Sequence, residues 1–259
     1  MRPDHSVTCS PAGGETLGPC GDLLRIAAVE VPVTAQLSPV DRNEYHLSEL
    51  QLVQDVSHPR RVLPRIQSQH RRILDVGCGA GQTLIGCGIP THIEAFGVDI
   101  DESALALGRR LTERVTFSLA RAERLPFKDG SFDLVVCRVA MPYMRMSPAL
   151  GEMSRVLKPG GDLWVTLHSV WRALKELKDA IVARDAKYIG TQVYALANGT
   201  VFHFSGREFH MPFRPKRWES FQTEKSFRTA LARAGFTRIC IDRSRGTFVV
   251  QARRREDVH

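Results

Sequence analysis

A short apolar strand, Ile73 and Leu74, runs into Asp75 and then into glycines at 77, 79 and 81, before a helix begins near Gln82. Glycines let the backbone turn sharply and approach a ligand with no Cβ in the way, and the helix that follows offers free N–H groups. Such a strand–turn–helix unit belongs to an open α/β sheet, which binds ligands outside the carboxyl ends of its strands. The dinucleotide fingerprint is G-x-G-x-x-G, whereas here the third glycine arrives one residue early and position 82 is Gln. A nicotinamide or flavin site is therefore a poor match, and other α/β nucleotide binders stay open.

The rest of the chain supports the same class. Apolar runs near 72–76, 95–98, 115–119, 132–137 and 161–168 alternate with helical patterns at 82–86, 102–111 and 147–157. That alternation predicts a mostly parallel sheet with helices on both faces. A helix over 224–234 and an antiparallel pair at 237–242 and 247–252 complete it. Residues 1–45 carry scattered Pro and Gly without sustained periodicity and read as a flexible N-terminal arm, in which Leu23 to Val33 allow one strand or short helix. Ser48 is predicted to cap a short helix over 49–55 and to open the main domain, 46–259. Within that domain, 169–222 reads as an inserted substrate lid. Val170, Leu174, Leu177 and Ile181 make an amphipathic helix expected to pack on its own domain rather than on a membrane. Asn198-Gly199, between 193–196 and 201–204, is a hairpin signal.

Composition narrows the function classes. A chain of 259 residues, 43% hydrophobic and 25% charged, is expected to form one core domain with appendages rather than a fibre or a disordered polymer. Its apolar runs are too short to span a bilayer and its N-terminus has no signal-peptide pattern, so a cytoplasmic location is expected. The cysteines, at 9, 20, 78, 87, 137 and 240, form no CxxC pair, and neither a disulfide nor a metal is expected. The net charge of +8 favours nucleic acid, an anionic membrane or an acidic small substrate without choosing among them. Part of it, Arg253-Arg254-Arg255, is expected to be a solvated tail.

A second chemical feature ends the next strand, in Phe96-Gly97-Val98-Asp99-Ile100-Asp101. A carboxylate at that place, one βαβ step after the glycine loop, can accept hydrogen bonds from both hydroxyls of a ribose. Asp99 is assigned this role, and Asp101 suits the cap of the following helix.

With these residues in hand, the sequence resembles the class I methyltransferases that use S-adenosylmethionine (SAM), in particular the type 11 methyltransferase-domain group that includes quinone C-methyltransferases. The motifs stand in family order: 73–81, then 97–100, then Ala122-Glu123-Arg124-Leu125-Pro126-Phe127 with Ser131-Phe132-Asp133, then Leu157-Lys158-Pro159-Gly160-Gly161. The resemblance covers about 72–165, with a weaker echo at Ala234-Gly235-Phe236. It implies a Rossmann-like fold with a seven-stranded sheet whose last hairpin is antiparallel, and SAM as the cofactor. Carried over by position, Asp75, Gly77, Cys78, Gly79 and Gly81 surround the methionine end, Asp99 binds the ribose, Ile100 packs on adenine, Ala122 and Glu123 lie at the adenine edge, and Arg138 sits near the amino-acid moiety. Arg121 departs from the pattern, standing where many relatives have an Asp that accepts from the adenine amino group. The 158–161 turn is read as structural.

SAM brings an activated methyl, so a methyltransferase mainly aligns a nucleophile and excludes water. A general base helps only an acceptor that must lose a proton; His168, at the end of the fifth predicted strand, is the candidate, with His203 and His210 behind it. Tyr143, Trp171, Tyr194 and Phe202 are candidates for an aromatic acceptor pocket. The leading expectation is methyl transfer to O, N or C of a small or medium-sized organic acceptor. The alternatives are nucleic-acid methylation, which is not favoured because no RNA-binding module or Asn/Asp-Pro-Pro-Tyr turn is present, and a non-catalytic SAM-binding protein.

Overall fold

The computed structural model describes residues 39–58, 60–167, 170–211, 218–243 and 248–256. Its centre is a seven-stranded sheet: β1 (Arg72–Val76), β2 (Glu94–Asp99), β3 (Val115–Leu119), β4 (Phe132–Cys137), β5 (Leu157–Leu167), β6 (Phe236–Asp242) and β7 (Phe248–Arg254). Their order across the sheet is β3-β2-β1-β4-β5-β7-β6. Strands β1 to β5 pair in parallel, and β7 is antiparallel to both β5 and β6. This is the mostly parallel α/β sheet that the strand and helix spacing predicted, in the Rossmann-like seven-stranded form with an antiparallel last hairpin that the resemblance implied. The order reverses between β2 and β4 on either side of β1, which makes the carboxyl end of β1 the natural crevice for a ligand.

Helices fill both faces. They are α1 (Pro39–Gln54), α2 (Gln82–Cys87), α3 (Glu102–Leu111), α4 (Met146–Val156), α5 (Val170–Val182), α6 (Ala186–Ser205) and α7 (Glu224–Arg233). On one face, Leu150, Met153 and Val156 of α4 and Phe227 and Leu231 of α7 join Leu74, Val135 and Val165 in a core that also receives Phe202 from α6. On the other face Leu84 of α2 and Leu105 of α3 pack with Ile73, Leu134 and Val136. Each fully buried side chain of this kind contributes about 1.5–3 kcal/mol of transfer free energy.

Local chemistry sets the helix ends. Asp101 caps α3, its Oδ1 accepting from the N–H groups of Ser103 at 3.0 Å and Ala104 at 3.4 Å. Thr223 and Ser226 form a reciprocal capping box at the start of α7. Gly160, in the left-handed region at φ 72°, allows β5 to bulge where its pairing with β4 shifts register.

Three expectations change. The Asn198-Gly199 hairpin is absent: both residues lie inside α6, where every partner of Asn198 favours a helix. Its Nδ2 donates to the Tyr194 hydroxyl at 3.1 Å, one turn earlier, and to the Glu219 carbonyl at 3.0 Å, while its Oδ1 accepts from Phe209 N at 3.0 Å. Ser48 caps nothing; it lies mid-way along α1, its hydroxyl donating to the Tyr45 carbonyl at 2.8 Å, and the helix begins at Pro39, inside the segment read as an arm. Arg253 and Arg254 are not a solvated tail but the end of β7: Arg253 pairs with Asp162 at 3.1 Å and Arg254 donates to the Leu157 carbonyl.

Candidate functional site

The glycine loop between β1 and α2 is held in a conformation that its sequence permits and few others would. Gly77, Gly79 and Gly81 have φ of 73°, 54° and 81°, all left-handed. Close approach adds a second demand: a Cβ on Gly77 would stand 2.4 Å from Ala140 Cβ, and one on Gly81 2.8 Å from Phe117 Cζ. The N–H groups of Gly77 and Cys78 both donate to the Val98 carbonyl, at 2.8 and 3.0 Å, which ties the loop to the end of β2.

Asp99 closes that end. Its Oδ2 accepts from Gly79 N at 2.8 Å and its Oδ1 from Asp101 N at 2.9 Å. Burial pushes its carboxyl upward, against the lowering effect of backbone N–H groups at Asp101, Gly79 and Ile100. A carboxylate has about four acceptor sites, so one bond per oxygen leaves lone pairs for two hydroxyls. Ile100 beside it is 67% exposed, an apolar surface for a flat ring.

Asp75 lies under the loop, fully buried, and neither carboxylate oxygen has a hydrogen-bond partner. Burial raises its pKa to about 7, opposed first by the Arg138 charge and then by the Thr83 hydroxyl, which is near but not at bonding geometry. A buried anion without partners is costly unless a cation or donor reaches it. SAM carries an ammonium and a sulfonium, so the residues present fit it: Asp75 suits the cationic end, Arg138 the carboxylate and Asp99 the ribose. Cys78, whose thiol burial pushes well up, is packed against Gly97 as a small apolar residue, and a Cβ on Gly97 would stand 2.8 Å from its Sγ.

Arg138 follows β4, and the next residue, Val139, is left-handed at φ 65°. For a β-branched residue this is a strained geometry of the kind found at functional sites. Val139 N donates to Thr166 Oγ1 at 2.8 Å, which holds the turn. Of the residues expected at the adenine edge, Ala122 is buried in the core, and Glu123 is turned toward Arg121, at 3.2 Å, and Arg145 N, at 3.0 Å. The Arg121 departure is thus met by an ion pair with Glu123.

The sequence missed the contribution of α1. Arg42 pairs with Asp101 at 3.0 Å, His46 Nδ1 lies 2.8 Å from Gln82 Nε2, and Glu49 pairs with Arg138 at 2.9 Å. The His46 ring is so close that a Cβ on Gly79 would stand 2.9 Å from its Cε1. Burial lowers the His46 pKa, with Asp99, Asp101 and Glu49 pulling the other way. The signal in the sequence was a polar residue at 42, 46 and 49, one helical face, which apolar periodicity does not detect.

On the acceptor side the four aromatic candidates do not assemble. Trp171 is 76% exposed, Phe202 belongs to the core, and Tyr194 donates to the Phe209 carbonyl. Tyr143 is held in a polar neighbourhood instead: burial pushes its phenol up, with Glu219, Arg172, Glu176 and Tyr45 around it. Tyr45 is likewise pushed up to about 12 by burial and by Glu49. Glu176 gathers Arg172 at 2.8 Å, the Tyr188 hydroxyl at 3.2 Å and Gln192 at 3.1 Å. His203, in α6, bonds Thr223 Oγ1 at 2.7 Å, and His210 is exposed. His168 lies outside the described residues. Among the described residues no group of His, Cys, Asp and Glu could hold a metal ion, and no helix is long and apolar enough to cross a membrane.

Residues 74–165 match the family described as a methyltransferase domain. The chain is 33% identical over 122 residues to methyltransferase GfsG of Streptomyces halstedii, covering 44% of each chain. It is 35% identical over 132 residues to the ubiquinone/menaquinone biosynthesis C-methyltransferase UbiE of Cupriavidus metallidurans, covering 48% of this chain and 54% of that one. The chain thus spans about half the length of these curated relatives. Among solved structures, a SAM-dependent methyltransferase from Methanosarcina mazei shares the fold, with a TM-score of 0.50 and 22% identity, over 74% of this chain and 95% of that one.

Proposed function

We propose that this chain, which belongs through residues 74–165 to the class I SAM-dependent methyltransferases, is an enzyme that moves the SAM methyl group to a small or medium-sized organic acceptor. The observation that carries the reading is the pairing of a left-handed glycine loop with Asp99, whose carboxylate oxygens each hold one backbone N–H and keep lone pairs free. A relative named as a C-methyltransferase supports carbon as the acceptor atom.

When bound, SAM supplies a methyl already activated on sulfonium sulfur. What the chain adds is position and exclusion of water. Asp99 orients the ribose and Arg138 the amino-acid end, while Asp75 gives the positive charge a counter-ion beneath the loop. His46 and Glu49 cover that end from α1. Next to them, Tyr45, Tyr143 and the Arg172–Glu176 pair offer the acceptor phenolic and charged contacts rather than an aromatic cage. His168 remains the proposed base for an acceptor that must lose a proton.

The test is calorimetric titration of SAM into the wild type, Asp99→Ala and Gly79→Arg. Loss of two charge-assisted acceptors, each worth about 1.5–3 kcal/mol, lowers affinity at least about a hundredfold in Asp99→Ala. Gly79→Arg abolishes binding, because its side chain would enter the space held by His46. An acceptor screen with methyl-labelled SAM then identifies the substrate. A wild type that binds no SAM sinks the proposal.

A further inference from the structure

The helix that follows the fifth strand turns much of its apolar surface outward. Its buried residues are the small Ala173, 8% exposed, and Ala180, 2% exposed. Val170 and Leu177 are half-buried, but its other large apolar residues face out: Trp171 is 76% exposed, Leu174 41%, Ile181 56% and Val182 76%. Exposed Lys175 and Lys178 share that side. At 3.6 residues per turn, Trp171, Leu174, Lys175, Lys178, Ile181 and Val182 fall within an arc of roughly 120°. The sequence reading took the apolar stripe as the packing face, and for Leu174 and Ile181 the structure reverses that.

The partner helix repeats the arrangement. In α6 the residues Val193, Ala197, Val201 and Phe204 lie within an arc of about 80° and are all exposed, Phe204 at 81%. The two helices pack on each other through Glu176, Tyr188 and Gln192, so their polar groups meet inside while apolar stripes remain outside. Exposed apolar residues scattered singly need no explanation, but stripes on both arms of a helical hairpin mark a contact surface.

We propose that the α5–α6 hairpin docks this protein on an anionic membrane surface. The combination of Trp and branched aliphatic residues with lysines on one helix face is that of a helix lying in the lipid interface, where the lysine stems run along apolar material and their charged ends reach the phosphates. Charge complementarity selects lipid over an apolar protein partner: Lys175 and Lys178 stand within the apolar arc, Arg184 and Lys187 are exposed at the turn joining the helices, and the chain carries +8 overall. Asp179 stands at the edge of the arc and Asp185 is occupied capping α6, accepting from Tyr188 N at 2.9 Å.

The experiment is co-sedimentation of the full chain with vesicles of phosphatidylcholine alone or with phosphatidylglycerol added, at low and high salt. Binding to the anionic vesicles is expected, with weak binding to phosphatidylcholine and release by salt. Lys175→Glu/Lys178→Glu reduces partitioning at least about thirtyfold, roughly fivefold for each lysine removed and more for its reversal. Trp171→Glu/Val182→Glu, which changes exposed residues only, reduces it at least about tenfold. Arg65→Glu/Arg110→Glu makes the same change in net charge elsewhere on the surface and is expected to keep binding. Circular dichroism confirms that each variant is folded.

Absence of binding to anionic vesicles overturns the proposal, as does equal loss in Arg65→Glu/Arg110→Glu, which would assign binding to net charge. A dimer in solution dispersed by Trp171→Glu gives the face to a second copy. Vesicle binding that arises only when residues 1–38 are deleted gives it to that segment. Either result overturns the proposal, and none of them bears on SAM binding.

Discussion

Two glycines in α6 should respond to the same substitution with opposite signs. Glycine inside a helix costs roughly 0.5–1 kcal/mol relative to alanine, so Gly→Ala normally stabilises. Gly190 is exposed, and a Cβ there meets nothing within 4 Å. Gly190→Ala is expected to add about 0.5–1 kcal/mol, raising the melting temperature by about 1–4 °C for a chain of this size. Gly199 gains the same propensity, but its Cβ would stand 2.4, 2.6 and 2.8 Å from Phe221 Cδ1, Cε1 and Cγ. These are atoms of a ring that is 8% exposed, not the tip of a flexible chain. Overpacking of this kind costs about 1–3 kcal/mol, so Gly199→Ala should lose about 1–2 kcal/mol net and melt about 2–8 °C lower. Urea unfolding with an unchanged slope separates stability from a change in the denatured state. If both variants are stabilised, Phe221 does not pack on Gly199. If both are destabilised, α6 is not a helix at these positions, and a turn at Asn198-Gly199, which needs positive φ, returns.

Arg155 donates to the carbonyls of Phe127 and Leu125 at 2.7 and 3.0 Å and to both Glu152 and Asp129, so it fastens the loop that carries Ala122 and Glu123. Arg155→Ala should cost about 1–3 kcal/mol in urea, and an unchanged midpoint would show that the loop stands without it. Asp101→Ala removes the cap of α3 and the partner of Arg42, for about 1 kcal/mol of stability from the cap; Asp101→Asn, which can still cap, should recover most of it. Asp75 titrates near 7 rather than at its ordinary 3.8, so the folded state keeps its proton to higher pH than the unfolded chain. Its contribution is full below pH 3.8, falls as pH rises and levels off above 7, by at most about 4 kcal/mol. Asp75→Asn should flatten this part of the profile between pH 4.5 and 7.5. Glu208, raised by burial to about 7, leaves a residual slope of the same sign. Parallel profiles for the two proteins would mean that Asp75 is not buried as described.

The elements that could be read from sequence are those in which one physical signal dominates. Strands β1 and β4 are buried apolar runs, and the glycine loop is legible because only glycine tolerates φ near 54–81° beside Ala140 and Phe117. The position of Asp99 at the end of β2 was legible too. The hairpin at Asn198-Gly199 was misread because a strong two-residue turn signal competes with a longer-range fact: Gly199 is small to admit Phe221, twenty-two residues on. Propensity at two residues lost to packing over the whole of α6, where Thr191, Tyr194, Ala195, Asn198 and Phe202 repeat at helical spacing. Leu174 and Ile181 show the limit of periodicity itself, which finds an apolar face without saying which way it points.

The course of α1 was illegible for a different reason. Its apolar contacts, Leu50, Leu52 and Val53, are confined to its last turns, and the part that crosses the glycine loop is attached by polar pairs. Those pairs reach Asp101 after β2, Gln82 at the start of α2 and Arg138 after β4, three separate elements that meet only in the folded sheet. No pattern within residues 39–54 can reveal partners that are 36, 59 and 89 residues away. The same geometry has a consequence for binding. Arg138, proposed to hold the amino-acid end of SAM, is already held by Glu49, and the two side chains are 10% and 14% exposed. Gly79, proposed to line the cofactor site, is covered by His46. Residues proposed to hold the cofactor therefore also hold α1, and on that reading ordering of the helix and occupancy of the site are linked in free energy, each favouring or opposing the other by the same amount.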